Sequence, residues 1–282
     1  TLAALDRPDE ANAATDEFLA IHADLHGEDS VPYASALANA ATVASNQGNS
    51  ELAVERNRTA LDILDGTLPP DNSLVLTITN NLATNTDDPT ESLRLYRRIL
   101  QAERSQGNPD PPNVIQNIAA AHLSAESLDS AAVWATRARQ VYLASPEANT
   151  PQASFPNLTL AFAQLQQGNA ASGRTAAETA SRELVDRIGP DHWVVVYAEG
   201  LVGWADALQG NRAQAAPRIK PHVEQEETQH ALERRYEKGR YFFHPCLAAY
   251  PSNGQRTDED NYGSIEKDFP EQFSFFRAGD IV

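Results

Sequence analysis

Residues 113–144, with the sequence NVIQNIAAAHLSAESLDSAAVWATRARQVYLA, contain the pattern that decides the fold. Three of their small residues, Ala119, Ala131 and Ala138, have counterparts all along the chain. Ala131 and Ala138 lie seven residues apart, which is about two helical turns, so both belong to one face of a helix. Positions that stay Ala or Gly indicate a close approach of two helices, because a larger side chain would push their backbones apart.

The three positions recur with a spacing close to 42 residues. In the first series the spacings are 42, 39, 39, 42 and 42, and in the third they are 42, 36, 42 and 42. Self-similarity at such a fixed period predicts a solenoid of stacked units. The three series are Ala11, Ala53, Ser92, Ala131, Gly173 and Ala215; Phe18, Ala60, Ile99, Ala138, Ala180 and His222; and Ala41, Ala83, Ala119, Ala161 and Gly203.

Turn signals divide each unit into two helices. A tight turn is predicted at Gln47–Asn49, Asp87–Pro89, Ser127–Asp129, Gln167–Asn169 and Gln209–Asn211, where Gly closes one helix and Asn or Asp starts the next. Longer Pro- and Asp-rich connections separate the units. Strands are not expected before residue 240. The predicted first helices are 33–47, 73–85, 113–125, 154–167 and 193–209, and the second helices are 9–25, 50–65, 90–105, 129–144, 170–188 and 212–238.

Motifs within the units resemble the tetratricopeptide repeat, in the roughly 42-residue variety of kinesin light chains and many bacterial proteins. Asn80-Asn81-Leu82-Ala83 is similar to the family's N-N-L-A, and Gln47-Gly48 is followed by Glu51 and Ala53, as in its Q-G and E-E-A motifs. The resemblance covers about residues 8–222. It implies an all-α, right-handed solenoid of antiparallel helix pairs. A closed toroid of six helical hairpins is the competing architecture, but it does not require a shared register of small residues.

The repeats predict a division of the chain into two parts. Residues 1–238 are expected to form the solenoid, with a half repeat at 1–27, five repeats from about 31 to 223, and a long last helix to about 238. Residues 239–282 contain nine of the chain's 20 aromatic residues, and disordered tails are poor in aromatics. This irregular segment is therefore expected to cap the last repeat, cover the groove of its own chain, or enter a neighbouring molecule.

The resemblance also places a partner groove on the first helices, which line the concave face in tetratricopeptide arrays. By spacing, the early units present amides and hydroxyls there, and the later units present aromatic and apolar side chains. Those side chains would bind a protein or peptide, or they would only fill space between helices. The predicted groove residues are Asn80, Gln116, Phe155, Leu158, Phe162, Tyr197 and Trp204, and the predicted assembly residues are Phe242, Phe243, Phe269, Phe273, Phe275 and Phe276.

Composition and motifs exclude several classes of function. A net charge of −17 argues against nucleic acid, and no run of apolar residues is long enough to span a membrane. The sequence contains no phosphate-binding loop, dinucleotide fingerprint or nucleophile elbow. His22 and His26 have a spacing that can share a metal, but no third ligand is implied, which favours a solvated helix end. We therefore expect no cofactor, no metal and no catalytic residues.

These observations predict a non-catalytic scaffold for protein–protein contact, which assembles head-to-tail through residues 239–282. One alternative is a regulatory or sensor segment of a larger bacterial signalling protein. The other is a helical-toroid enzyme acting on glycans, which would need two carboxylates facing each other in a cleft. The chain begins at Thr1 and contains no Met, so it is expected to be either a processed chain or an excised piece of a longer one, and an extracellular or cell-envelope location is favoured over the cytoplasm. Asn57 and Asn157 match the N-glycosylation pattern.

Overall fold

The computed structural model describes residues 8–221, and within that range the chain is helical with short connections. Ten helices are followed by a helical stretch at residues 212–221. Two short 3₁₀ helices, Pro146–Asn149 and Pro151–Ser154, form the connection before the fourth complete unit. The helices are α1 Pro8–His26, α2 Val31–Asn46, α3 Ser50–Leu64, α4 Ser73–Asn85, α5 Pro89–Ser105, α6 Pro112–Ser124, α7 Leu128–Leu143, α8 Phe155–Gln166, α9 Ala170–Ile188 and α10 Trp193–Leu208.

Each helix packs against the one before it and the one after it, and first helices also contact the first helices of adjacent units, as α6 does with α8. This is the packing of an α-solenoid of helix pairs, so the predicted fold is confirmed. The predicted division at residue 238 and the assembly residues in 239–282 lie outside the described residues. The same applies to His222 and to the end of the last predicted helix.

Side-chain caps and left-handed glycines determine where the helices begin and end. Asn49 Oδ1 accepts a hydrogen bond of 3.1 Å from the Leu52 amide, and Asp88 Oδ1 accepts one of 2.8 Å from the Thr90 amide. Both bonds satisfy an amide that has no partner within the helix. Gly48 and Gly168 have φ values of 76° and 77°, in the left-handed region expected of a residue that closes a helix.

The turn of the third unit differs from the sequence-based prediction. The predicted turn residues were Ser127–Asp129, but α7 already begins at Leu128. The left-handed residue is Glu126, with φ 55°, and it occupies the place that Gly48 has in the first unit. Glu rarely adopts this conformation, so the residue type at position 126 did not indicate a turn there. Repeat spacing would have located it, since both residues follow their unit's small first-helix residue by seven positions.

The small-residue series lie at the helix contacts, as predicted. Ala41, Ala119 and Ala161 have no exposed surface. A Cβ on Gly203 would lie 2.9 Å from both Arg218 Cβ and Ile219 Cγ1, which is closer than packed atoms approach. The apolar core therefore lies along the helix-pair interfaces, where minimal side chains allow the backbones to approach closely.

Candidate partner-binding surfaces

The predicted groove residues occupy equivalent positions on one face of the first helices, but the structure buries three of them. Gln116, Leu158 and Phe162 are 6%, 1% and 5% exposed. The prediction that they point outward is therefore wrong. Gln116 Nε2 donates a 2.8 Å hydrogen bond to Thr159 Oγ1, which joins α6 to α8. Adjacent first helices lie close enough that side chains at these positions fill the space between them.

Phe162 and Trp204 contact each other across α8 and α10. Their ring centroids are 5.6 Å apart and the rings are inclined at 68°, an edge-to-face arrangement that aromatic pairs favour. Phe162 is thus part of the packing between units, while Trp204 is half-buried. Phe155 and Tyr197 are half-buried as well. A contact between these three partly exposed aromatic residues and a partner stays a prediction.

The early half of the groove is polar. Asn80 is half-buried, and its Oδ1 is enclosed without a hydrogen-bond partner among the described residues. Thr84, one turn along α4, forms a 2.9 Å hydrogen bond with the Tyr96 hydroxyl. Burial raises the pKa of Tyr96 from its ordinary value of 10.0 to about 12, so this hydroxyl keeps its proton in alkaline solution as well. This part of the groove thus combines an unsatisfied acceptor on Asn80 with a bonded pair of hydroxyls on Thr84 and Tyr96.

A second surface lies on α1 and was not identified residue by residue from the sequence. Phe18, Ile21 and Leu25 are 36%, 49% and 70% exposed. Their spacing of three and four residues places them on one helix face. The other second helices, such as α3, have a first helix on each side, whereas α1 has a described first helix on one side only, α2. The spacing of these three residues within a half repeat was the signal that could have located the surface.

The two histidines of α1 belong to the same helix face and pack with each other. His22 lies 4.5 Å from Phe18 and 5.6 Å from His26, measured between ring centroids. Within residues 8–221 no group of three or more His, Cys, Asp or Glu side chains is arranged to hold a metal ion. The contacts that the structure shows for His22 are ring contacts with Phe18 and His26.

The two sequon asparagines are both buried. Asn57 has no exposed surface and its Nδ2 donates a 2.9 Å hydrogen bond to the Ala53 carbonyl, while Asn157 is 8% exposed. A glycan on either side chain would have to displace packed helices. No helix in the described part of the chain is both long and apolar enough to cross a membrane.

Solved structures with the same architecture place this fold among known repeats. The chain is similar to a Podosopora anserina putative kinesin light chain with nearly identical TPR-like repeats, with 15% identity and a TM-score of 0.55. That match covers 66% of this chain and 90% of the other. The chain has a tetratricopeptide-like fold. The fold is thus the one that the repeat motifs had indicated.

A second tetratricopeptide-like neighbour matches over a greater length. The chain is similar to BtubC (BKLC) from P. vanneervenii, with 12% identity and a TM-score of 0.62. This match covers 89% of the chain and 96% of BtubC. No protein-family model matches the chain, and no curated protein matches it significantly in sequence. At these identities the similarity establishes the tetratricopeptide-like fold alone.

Proposed function

We propose that this chain is a non-catalytic scaffold that binds protein segments and assembles with further copies of itself. The observation that carries the proposal is the uncovered face of α1, formed by Phe18, Ile21 and Leu25. Fully burying an exposed large apolar side chain stabilises a contact by about 1.5–3 kcal/mol. Phe18, Ile21 and Leu25 are 36%, 49% and 70% exposed, so covering them contributes a part of that amount for each side chain. A helix that exposes such a face favours contact with another helix.

The repeat register specifies what fits beside α1. Second helices inside the array, α3 for example, lie between two first helices, whereas α1 has only α2 as a described first-helix neighbour. The described residues end at 212–221, which is again a second helix by register. When two copies stack head-to-tail, residues 212–221 of one copy and α1 of the next are consecutive second helices. The repeat register then leaves one vacant first-helix position between them.

We infer that residues 239–282 of one copy fill that position in the next copy. The segment is rich in Phe, and phenylalanine side chains complement the exposed apolar face of α1. The contact joins two different surfaces, so it repeats from copy to copy and produces a ring or a filament. Tyr197 and Trp204 of α10 each expose part of their side chain, and this exposed part would contact a separate protein partner.

The mass of the particle in solution tests this proposal. Light scattering of the full chain over a range of concentrations should show a mass that rises above 30.7 kDa. Ile21→Asp with Leu25→Asp should keep the chain monomeric. The matched control is Val133→Asp with Leu143→Asp on α7, since these side chains are 68% and 56% exposed and lie away from α1.

Three results would count against the proposal. A full chain that stays monomeric at every concentration excludes self-assembly. An α1 double variant that assembles like the unmodified chain excludes α1 as the receiving surface. Assembly that persists after Phe273→Ser, Phe275→Ser and Phe276→Ser together excludes these three residues as the inserted group.

A further inference from the structure

A shallow depression lies between α5 and α7, which are the second helices of two consecutive units. Leu100 and Trp134 form its apolar lining, and its volume is about 270 Å³. The other residues that line it are Arg97, Gln101 and Arg104 of α5 and Arg137 of α7. The depression therefore combines an apolar surface with long polar and cationic side chains, and it does not belong to the groove predicted on the first helices.

The three arginines of this depression exceed the carboxylates that pair with them. Arg104 donates two hydrogen bonds, of 2.7 and 2.9 Å, to Asp110, and Arg137 pairs with the same side chain. Both of these arginines are thus engaged within the fold. Arg97 is exposed and forms no salt bridge with any carboxylate of residues 8–221. A local positive excess remains here, on a chain whose formal net charge is −17.

The Trp134 side chain is held in place by two further contacts. The Arg137 guanidinium carbon lies 5.0 Å from the centroid of the Trp134 ring, and His122 of α6 stacks on Trp134 with ring centroids 6.5 Å apart. Burial and, in second place, the positive charge of Arg97 lower the pKa of His122. The charge of Arg97 therefore acts on its surroundings rather than being cancelled by a neighbouring anion, and the apolar lining beside it is preformed.

We propose that this depression binds an acidic segment of a separate protein, with an aliphatic side chain against Leu100 and Trp134 and a carboxylate beside Arg97. The apolar lining favours burial of one side chain, and an unpaired guanidinium favours a carboxylate through charge-assisted hydrogen bonds. A nucleic acid is a poorer fit, because the acidic remainder of the chain would repel a polyanion, whereas a short acidic segment meets only the local charge.

Titration of the full chain with a capped probe peptide tests the site. The probe is Ser-Glu-Glu-Leu-Glu-Glu-Ser, acetylated and amidated so that no terminal charge contributes. Two matched peptides replace every Glu by Gln, or the Leu by Ala. Both should bind about fivefold more weakly than the probe, because one lacks the anions and the other lacks most of the apolar side chain.

The indole N–H signals of a chain labelled with nitrogen-15 locate the binding site. The chain contains three tryptophans, Trp134, Trp193 and Trp204, and Trp134→Phe identifies the signal of interest. The Trp134 signal should shift with the probe until it saturates, while the signals of Trp193 and Trp204 keep their positions. Because these two belong to α10, they serve as internal controls.

Two neighbouring arginines of α5 provide a matched pair of variants. Arg97 and Arg98 are both exposed and both lack a salt bridge within residues 8–221, but of the two only Arg97 lines the depression. Arg97→Gln should weaken probe binding by about fivefold, whereas Arg98→Gln should change it by less than about twofold. Arg97→Gln should also raise the pKa of His122, measured from its ring signal, and both variants should unfold at the temperature of the unmodified chain.

Four results would overturn the inference. A titration that never saturates shows that the depression does not hold the probe. A shift of Trp204 without one of Trp134 places the probe in the groove. Equal weakening by Arg97→Gln and Arg98→Gln shows general attraction to the surface of α5, and equal affinity for the peptide with Gln shows that carboxylates are not recognised.

The inference does not rest on self-assembly, and the two outcomes are separable. Probe binding that persists in the chain with Ile21→Asp and Leu25→Asp supports the depression and shows that it acts without the face of α1. A monomeric chain that binds the probe supports the depression and excludes self-assembly. A chain that assembles but does not bind the probe excludes the depression and leaves self-assembly standing.

Discussion

Gly173 of α9 lies directly against Leu165 of α8, so closely that a Cβ on Gly173 would stand 2.6 Å from Leu165 Cγ and 3.2 Å from the Ala161 carbonyl oxygen. The contact joins the two helices of one unit through its small-residue position. It shows why the first series of repeats tolerates only small side chains here.

Gly173→Ala should destabilise the fold by about 1–3 kcal/mol, because the added methyl group must push α8 and α9 apart. A urea titration measures the free energy of unfolding. Ser172→Ala on the same helix is the control, since Ser172 is exposed and its replacement should change stability by less than about 0.5 kcal/mol.

A double-mutant cycle examines the mechanism. Leu165→Ala alone creates a cavity, but in the Gly173→Ala background it also removes the clash, so the two changes together should cost less than their sum. Strict additivity would contradict a direct contact between residues 165 and 173.

Glu126→Gly should stabilise the chain, because Glu126 adopts φ 55° and only glycine enters this region without steric cost. We expect the free energy of unfolding to rise by about 0.5–1 kcal/mol. This is the usual steric cost of a left-handed residue with a Cβ, minus the extra backbone entropy that glycine loses on folding. Thermal unfolding compares it with Glu126→Ala, which removes the same carboxylate but keeps a Cβ. A gain of equal size in both variants would show that charge, rather than backbone conformation, is responsible.

Asp206→Asn should destabilise the last described unit. The Asp206 side chain is fully buried, pairs with Arg174 and lies 3.8 Å from Arg218 Nε. Removing its charge leaves these cations without their buried partner, at a cost of about 2 kcal/mol after allowing for the partial solvation of both arginines. Chemical denaturation of Asp186→Asn, an exposed carboxylate, is the comparison. An equal loss in the two variants would contradict a specific role for the buried pair.

Asp110 should make stability depend on acidity. The hydrogen bonds from Arg104 hold the pKa of Asp110 below its ordinary value of 3.8 despite partial burial. A carboxyl group whose folded pKa is depressed stabilises the fold above its unfolded pKa, and that contribution is lost as the pH falls through the folded pKa. The stability difference between the unmodified chain and Asp110→Asn should therefore be full near pH 6 and shrink below about pH 4. A difference that stays constant down to pH 2 would refute the assignment.

Helix positions were predictable from the sequence because repeat spacing and turn residues are local signals. The helix predicted at 50–65 extends over Ser50–Leu64 in the structure, and the helix predicted at 170–188 extends over Ala170–Ile188. The turn at Glu126 was misplaced because its residue type does not indicate its backbone conformation. The groove was only partly predictable, since a helical period shows which residues share a face but not how closely the neighbouring helix approaches.

The sequence by itself determined the helix pairs, their register and the small contact positions, because each depends on residues within one repeat and on the regular geometry of a helix. The tertiary structure decided which groove positions stay accessible, since Phe162 is buried and packs against Trp204 of the next unit, while Trp204 keeps part of its surface exposed. It also brought Arg97 of α5 and Trp134 of α7 to one depression across 37 residues of sequence. Such surfaces arise only when units stack, because stacking between repeats, rather than the period within them, sets which side chains meet and which remain exposed.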